Sequence, residues 1–195
     1  MIEKLRNIFV IPELRSKILF TLGVLMIVRL GAQVPIPGID PEALRQTMES
    51  LNDTFFGLFN MFTGGAFGQA AVFGLGIMPY ISVSIVVQIL QTTLPYFQRL
   101  AQEGESGRAK INQIIRYGTV ILALVQSIGI AFLLESYGIV LNPGFVFRFT
   151  AVISITTGTM LLLWLGEKIT EHGIGNGISL IIMVGILAAF PNVVL

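Results

Sequence analysis

The chain has 195 residues, of which 54% are apolar and 12% are charged, and its net charge at pH 7 is +1. About a quarter of the residues in a typical soluble protein are charged, so this chain has too few to cover a water-exposed surface. The same composition excludes intrinsic disorder, which requires low hydrophobicity. The absence of cysteine excludes disulfide scaffolds and Cys-ligated metal sites, and the small net charge does not indicate nucleic acid as the main partner. The composition therefore predicts a chain that lies mostly in lipid.

The N-terminal segment, 1–17, is predicted to be cytoplasmic and outside the lipid. Ile2, Leu5, Ile8 and Phe9 share one face of a helix that would end at Pro12, which is typical of an amphipathic helix on a membrane surface. An ordinary solvated start to the first span fits the same residues. The segment carries acidic residues and lacks the apolar core of a signal peptide, so we do not interpret it as a signal or transit peptide.

Residues 18–34 are apolar except for Arg29 and predict the first span. Arg29 would either extend towards the outer interface or pair with a carboxylate. The next loop begins with two prolines and a glycine, which predict a turn. A short helix from Pro41 to about Leu51 should follow, with Asp40 as its N-cap.

A stretch of 45 residues without charge, 54–98, is too long for one span, because as a single helix it would measure about 68 Å. Six glycines interrupt its first half and oppose a continuous helix. We therefore predict a broken half-span at 55–73 that does not cross the membrane, followed by the second span. Irregular backbone at membrane depth is tolerated only inside protein or around a water-filled cavity, so the half-span indicates a cavity. An interfacial segment or a plain loop remains the alternative.

Three further uncharged stretches, at 117–134, 149–166 and 173–195, are each long enough for one span, which makes five spans in all. The predicted organisation is as follows: cytoplasmic segment 1–17, span 1 at 18–34, external loop 35–54, half-span 55–73, span 2 at 74–97, cytoplasmic loop 98–116, span 3 at 117–134, external loop 135–148, span 4 at 149–166, cytoplasmic loop 167–177 and span 5 at 178–195.

The basic residues are distributed unequally between the two sides of this arrangement. Nine of the twelve lysines and arginines lie in the N-terminal arm and in the loops at 98–116 and 167–177, whereas the opposite loops hold only two. Cytoplasmic loops carry the excess of basic residues in membrane proteins. The asymmetry predicts a multi-pass membrane protein with a cytoplasmic N-terminus.

The residues that membrane enzymes use are scarce here. The single histidine, His172, is not part of an HExxH motif, and HGIGNGIS (172–179) lacks the GxGxxG spacing of a dinucleotide site. No Asp or Glu lies within the uncharged stretches, whereas ion-coupled transporters usually bury carboxylates. We therefore expect no catalytic residues, no metal, no cofactor and no enzymatic activity.

Four long motifs carry a family resemblance: VFGLGIMPYISVSIVVQ (72–88), EGESGRAKINQIIRYGT (103–119), NPGFVFRFTAV (142–152) and WLGEKITEHGIGNGIS (164–179). Together they resemble the SecY family, the central subunit of the bacterial protein-conducting channel. VPIPGID and LFNMFTGG resemble the first outer loop and the plug of that family. The family has ten spans in two inverted five-span halves, and this chain resembles the N-terminal half. The resemblance implies an all-α, multi-pass transmembrane helix bundle that is one half of an inverted-repeat channel, with spans 6–10 supplied by a second chain or a missing segment.

The resemblance also implies roles for particular residues. These are a pore ring of Ile77, Ile81 and Ile182; a plug of Phe59, Asn60, Met61, Phe62, Thr63, Gly64, Gly65, Ala66 and Phe67; lateral-gate contacts at Ser82 and Gln126; and cytoplasmic partner contacts at Arg108, Lys110 and Arg116. The isoleucines would form an apolar gasket around a passing chain. The alternatives are lipid or core packing for the isoleucines, hydrogen bonds within the bundle for Ser82 and Gln126, and contact with lipid headgroups for the basic residues.

The function that the resemblance implies is translocation of secretory polypeptides across the plasma membrane and insertion of membrane proteins into it. The implied partners are SecE and SecG, the SecA motor or a ribosome, signal sequences, unfolded polypeptide and the lipid bilayer, with no nucleic-acid or small-molecule substrate. Half of a secondary transporter is the alternative, since such proteins also use broken helices and inverted repeats. A scaffold or insertase without a pore is a third possibility, but it would not need a plug.

Overall fold

The computed structural model describes residues 11–51 and 55–189. The predictions for 1–10, 52–54 and 190–195, which include most of the N-terminal amphipathic segment and the end of span 5, lie outside the described residues. Within the described part the helices are α1 (Pro12–Gly31), α2 (Pro41–Leu51), α3 (Phe55–Phe62), α4 (Met78–Thr93), α5 (Pro95–Gln102), α6 (Glu105–Ser136), α7 (Phe145–His172) and α8 (Gly177–Ala189). Regular β-strands are absent from these residues, which contain only two isolated β-bridges.

The chain between α1 and α2 makes a turn whose backbone is paired with two distant segments. Ile39 forms an antiparallel bridge with Val140, and Pro35 forms another with Ala71. Asp40 Oδ1 accepts hydrogen bonds from the backbone N–H groups of Glu42, at 2.9 Å, and Ala43, at 3.4 Å. The prediction that Asp40 caps α2 is therefore confirmed.

The glycine-rich stretch is a short helix followed by a series of turns. Helix α3 has eight residues, and from its end to the start of α4 the chain contains no further helix. Gly64, Gly65 and Gly76 adopt positive φ angles of 67°, 87° and 57°, which glycine tolerates without steric cost. The turns are mostly buried and lie between α1, α7 and α8, so their irregular backbone is enclosed by protein.

Helices α4 and α5 meet at an angle of 97° around Leu94 and Pro95. Proline has no N–H group and cannot continue a helix beyond its first turn, so a second helix starts at Pro95 instead. Most of the predicted loop at 98–116 is also helical, because it contains the end of α5 and the part of α6 from Glu105 to Arg116. Loss of hydrophobicity marks where a helix would leave lipid, and Glu, Lys and Arg are themselves good helix formers.

The longest packed pair is α6 against α7. Thr119, Ala123, Ser127 and Ala131 recur every four residues on one face of α6 and are fully buried. Small side chains let two helices approach closely, and polar hydroxyls can bond between them. Ser127 Oγ lies 3.1 Å from Thr156 Oγ1 of α7, within hydrogen-bond distance.

Judged by length and composition, two described helices, α6 and α7, could cross a membrane, and α4 with α5 would make a third if the bent pair is one span. Helix α8 is a shorter apolar helix. The outward faces of α6 and α7 carry many exposed apolar side chains, such as Ile121, Val125, Ile153 and Leu161. The assignment of five spans remains a prediction.

Candidate functional site

A small cavity lies where α1, the turn after α3, the start of α4, α7 and α8 meet. Its volume is about 40 Å³, which is enough for a few water molecules. Apolar side chains such as Val28, Phe73, Leu162 and Val184 dominate its lining, and Arg29 is the one charged residue among the residues that line it. Segments far apart in sequence therefore converge on one apolar enclosure.

Two of the three predicted ring residues line this cavity. Ile77 and Ile182 are both in its wall, although Ile77 is 5% exposed and Ile182 is half-buried. Ile77 immediately precedes α4, and its carbonyl accepts a hydrogen bond from the N–H of Ile81 at 3.1 Å. Ile81 is partly buried against the same apolar cluster but does not line the cavity. The structure thus brings Ile77 and Ile182 together and places Ile81 one helical turn away from Ile77.

The predicted plug residues form a compact unit next to the cavity. Phe67 is buried, packs edge-to-face on Phe59 at 5.1 Å and stacks on Phe56 at 5.9 Å. Asn60 Oδ1 accepts a hydrogen bond of 2.6 Å from the N–H of Gly68, which closes the segment on itself. Of the predicted plug residues, Phe62 and Thr63 reach the cavity wall.

Arg29 has a partner that neither sequence alternative included. Its Nη1 donates a hydrogen bond to the backbone carbonyl of Gly64. Within the part of the chain that the structure describes, Arg29 makes no ion pair with a carboxylate. A backbone carbonyl carries no sequence signal, so a search for acidic partners could not have found it.

The two predicted gate residues do not contact each other through a hydrogen bond among the described residues. Ser82 is exposed on α4. Gln126 is half-buried on α6, and its Oε1 atom is buried without a hydrogen-bond partner among the described residues. Gln126 therefore has unused hydrogen-bonding capacity at this position, which is energetically costly for a buried amide oxygen.

The three predicted cytoplasmic contact residues differ in how far they are already engaged. Arg116 Nη2 donates hydrogen bonds of 2.9 and 2.8 Å to the two carboxylate oxygens of Glu167, joining α6 to α7. Lys110 lies 3.8 Å from Glu103. Arg108 is exposed and forms no ion pair with any described residue. Arg108 is therefore the most available of the three for a partner.

A further ion pair lies in the last turn of α7. Lys168 Nζ donates a hydrogen bond of 2.6 Å to Glu171. This hydrogen bond and the positive charge of Lys168 hold the pKa of Glu171 below its usual value. The Glu171 carboxylate consequently stays ionised at a lower pH than an isolated glutamate would.

Two glycines near the site, Gly158 and Gly185, were not predicted from the sequence. A Cβ added to Gly158 of α7 would lie 2.1 Å from the carbonyl oxygen of Val72. A Cβ on Gly64 would lie 2.8 Å from Cα of Gly185. The signal was present as lone glycines inside apolar helical stretches, which indicate close backbone approach, but the sequence does not say what approaches.

Comparison with known proteins decides the family. The SecY family profile matches residues 71–195, which is more than half of the chain. The chain belongs to the SecY family. The resemblance carried by the sequence motifs is therefore confirmed.

Individual members of the SecY family extend the match towards the N-terminus. The protein translocase subunit SecY of Escherichia coli K12 is 54% identical over 183 residues, covering 92% of this chain and 41% of the relative. The Aquifex aeolicus subunit of the same name is 48% identical over 202 residues, covering all of this chain and 47% of the relative. The chain thus spans about half the length of the curated relatives that it matches.

Solved structures agree on the fold. A structure titled as that of a protein-conducting channel matches with a TM-score of 0.62 and 20% identity, covering 88% of this chain and 36% of the other. Sec61 in a canine ribosome-channel complex matches with the same values. The prediction of an all-α, multi-pass helical membrane fold is confirmed, and the chain is a membrane protein.

Proposed function

We propose that this chain forms one half of the wall of a protein-conducting channel and supplies part of its central apolar seal. The observation that carries the proposal is the cavity in which Ile77, from the start of α4, and Ile182, from α8, face the same small space as Phe62 and Thr63 of the plug-like segment. Residues that are about 100 positions apart in sequence converge there. The family assignment supports the same function.

The chemistry of the lining suits a seal. Apolar side chains offer water no hydrogen bonds, and a narrow apolar constriction excludes water and therefore hydrated ions. Isoleucine side chains would also close around a passing polypeptide without binding any one sequence. The plug-like segment, 59–67, would cover the outer side of this constriction when the channel is closed. The segment comprises the second half of α3 and the turn that follows it.

The proposed physiological function is the passage of secretory polypeptides across the plasma membrane and the insertion of membrane proteins into it. This chain would act with SecE and SecG and with the remaining half of the channel. The driving energy would come from SecA or from a translating ribosome, and the chain itself would catalyse no covalent step. Ser82 and Gln126 would lie at a lateral opening towards lipid, where the free Oε1 of Gln126 could accept a hydrogen bond.

The basic residues set the proposed orientation and the proposed cytoplasmic contacts. The N-terminus and the segments at 98–116 and 167–177 would face the cytoplasm. Arg108 is exposed and forms no ion pair within the described residues, so it is our first choice for a partner contact. Lys110 and Arg116 would contribute charge to the same face while remaining near Glu103 and Glu167.

The seal is tested by making it wettable. In the complete channel, Ile77→Ser combined with Ile182→Ser should raise the closed-state ion conductance severalfold, because the constriction becomes wider and polar. Conductance of the reconstituted channel in a planar bilayer measures the leak. Ile85→Ser is the matched control, since Ile85 is on α4 but 51% exposed and away from the cavity.

Two results would argue against the proposal. If the double variant assembles normally and its closed-state conductance equals that of the parent channel, Ile77 and Ile182 are ordinary packing residues. If Ile85→Ser leaks as much as the double variant, the leak reflects general damage to the bundle.

A further inference from the structure

The contact between Arg29 and the turn that follows α3 is the one charged interaction in the cavity. Arg29 lies in the last turn of α1, and its Nη1 donates to the carbonyl of Gly64, 35 residues further along the chain. The other residues that line the cavity are uncharged. The guanidinium is therefore held by a backbone group of the plug-like segment and by no carboxylate of the described residues.

The same turn sits directly on α8. Gly64 has a φ angle of 67° and is buried. Gly185 lies three residues after Ile182, and a Cβ added to Gly185 would lie 3.4 Å from the carbonyl oxygen of Phe62 and 3.5 Å from the N of Gly64. Two glycines thus allow the backbone of the segment to rest against the backbone of α8, beside the predicted pore ring.

The Arg29–Gly64 hydrogen bond and the Gly64–Gly185 contact both favour the same position of the plug-like segment. A guanidinium facing an apolar enclosure is costly unless its N–H groups are bonded, so Arg29 favours whichever position of the segment gives it an acceptor. When the turn rests on α8, the Gly64 carbonyl lies within reach of Arg29 and is that acceptor. Apolar packing of the segment alone would not be specific to this position, whereas a charge-assisted hydrogen bond is directional.

We propose that Arg29 is a positioning residue that holds the 63–65 turn on Gly185 and thereby sets how often the plug-like segment leaves its seat. The inference rests on the proposed function in one respect only, namely that displacement of the segment opens the seal. The contact itself is independent of what the channel carries.

The test follows the position of α3, whose second half belongs to the segment. Spin labels are placed in the complete channel at Leu58→Cys on α3 and Leu187→Cys on α8, since both side chains are exposed and the chain has no cysteine of its own. Their distance distribution should be narrow in the parent. Arg29→Met keeps most of the apolar volume but removes the donor, and it should add a longer-distance population. A hydrogen bond to a charged group corresponds to a change of roughly tenfold or more in the ratio of displaced to seated segment.

Two further variants separate positioning from packing. Arg29→Lys retains a charged donor and should restore most of the narrow distribution, which a packing role would not explain because Met and Lys have similar volumes. Arg45→Met is the matched control, because Arg45 is also an arginine on the predicted outer side but is exposed, and within the described part of the chain it pairs only with carboxylates of its own helix. It should leave the distribution unchanged.

A variant on the opposite side of the contact keeps the test decisive if Arg29→Met fails to assemble. Gly185→Leu leaves Arg29 in place but inserts a side chain where the turn rests, so it should lengthen the same distance. An unchanged distribution in assembled Arg29→Met, or an unchanged distribution in Gly185→Leu where Arg29→Met does not assemble, would overturn the inference.

Closed-state conductance of the same samples separates this inference from the proposed function. If Arg29→Met lengthens the distance and raises conductance, both stand. If the distance lengthens but conductance does not change, Arg29 positions the segment but the segment does not seal a pore. If Ile77→Ser with Ile182→Ser leaks while Arg29→Met changes neither quantity, the seal stands and the role of Arg29 is wrong.

Discussion

At the scale of single residues, this fold depends on which glycines have a neighbour. Gly158 and Gly129 look alike in sequence, since each lies within an apolar helix. In the structure, a Cβ on Gly158 would lie 2.1 Å from the carbonyl oxygen of Val72, whereas a Cβ on Gly129 would meet nothing within 4 Å. The close approach of the Val72 backbone to α7 therefore requires glycine at position 158, whereas no neighbour requires it at position 129.

We expect Gly158→Ala to destabilise the assembled protein by about 2 kcal/mol or more, because backbone cannot yield as a flexible side chain can. Gly129→Ala should be neutral or stabilising by up to about 1 kcal/mol, the usual difference in helix propensity. Thermal unfolding in detergent, compared between the two variants, measures the difference. Equal melting temperatures would show that α7 shifts to accommodate the methyl group.

Residue identities could be predicted from the sequence better than residue environments. The motif match assigned Ile77 and Ile182 to one site, and both line the same cavity. The sequence could not reveal the hydrogen bond from Arg29, because its acceptor is a backbone carbonyl that any residue at position 64 would present. It also could not show that Arg116 is bonded to Glu167, since the pair is separated by 51 positions.

At the scale of helices, the turn between α7 and α8 is tied to α1 by one hydroxyl. Thr21 Oγ1 donates to the carbonyl of Lys17 at 2.8 Å and accepts from the N–H of Ile174 at 3.2 Å. Thr21 is 7% exposed, so water does not readily replace this bond. The contact spans 153 positions in sequence and connects the first helix to the turn that orients α8.

Thr21→Val removes the acceptor while keeping the side-chain shape. The amide of Ile174 should then exchange with solvent about fivefold faster, which corresponds to the loss of a hydrogen bond worth roughly 1 kcal/mol. Hydrogen exchange of this amide, followed by mass spectrometry, measures the effect. Thr47→Val is the control, because among the described residues the Thr47 hydroxyl bonds only within α2. Unchanged protection in Thr21→Val would mean that packing alone holds the turn.

Helix ends were harder to predict from the sequence than helix existence, for a physical reason. Apolar stretches mark the part of a helix that is suited to lipid, but α6 already begins at Glu105, well before the predicted start of span 3 at position 117. The motif EGESGRAKINQIIRYGT, from 103 to 119, is polar and still helical over most of its length. The break at Leu94 and Pro95 had a local signal in the proline, whereas its 97° angle depends on how α5 packs on α6.

At the scale of the whole molecule, the orientation across the membrane remains a prediction from charge. Ser106 and Ser50 are exposed and lie on opposite predicted sides. In the otherwise cysteine-free chain, Ser106→Cys should react with a membrane-impermeant maleimide only after the cells are opened. Ser50→Cys should react in cells whose outer permeability barrier has been removed but whose plasma membrane is intact. Labelling in the reverse pattern would invert the topology.

The antiparallel bridge between the first loop and the residues just after the plug-like segment limits how far that segment can move. The N–H of Ile36 donates to the carbonyl of Ala70, and the N–H of Val72 donates to the carbonyl of Val34, both at 2.9 Å. Position 70 would therefore stay in place when the residues before it are displaced. A short tether of this kind keeps the displaced group at an effective concentration of millimolar order. Return to the seat is then a first-order event whose rate does not depend on how much protein is present. A free peptide copying 59–67 would need to reach comparable concentrations before it could compete for the same place.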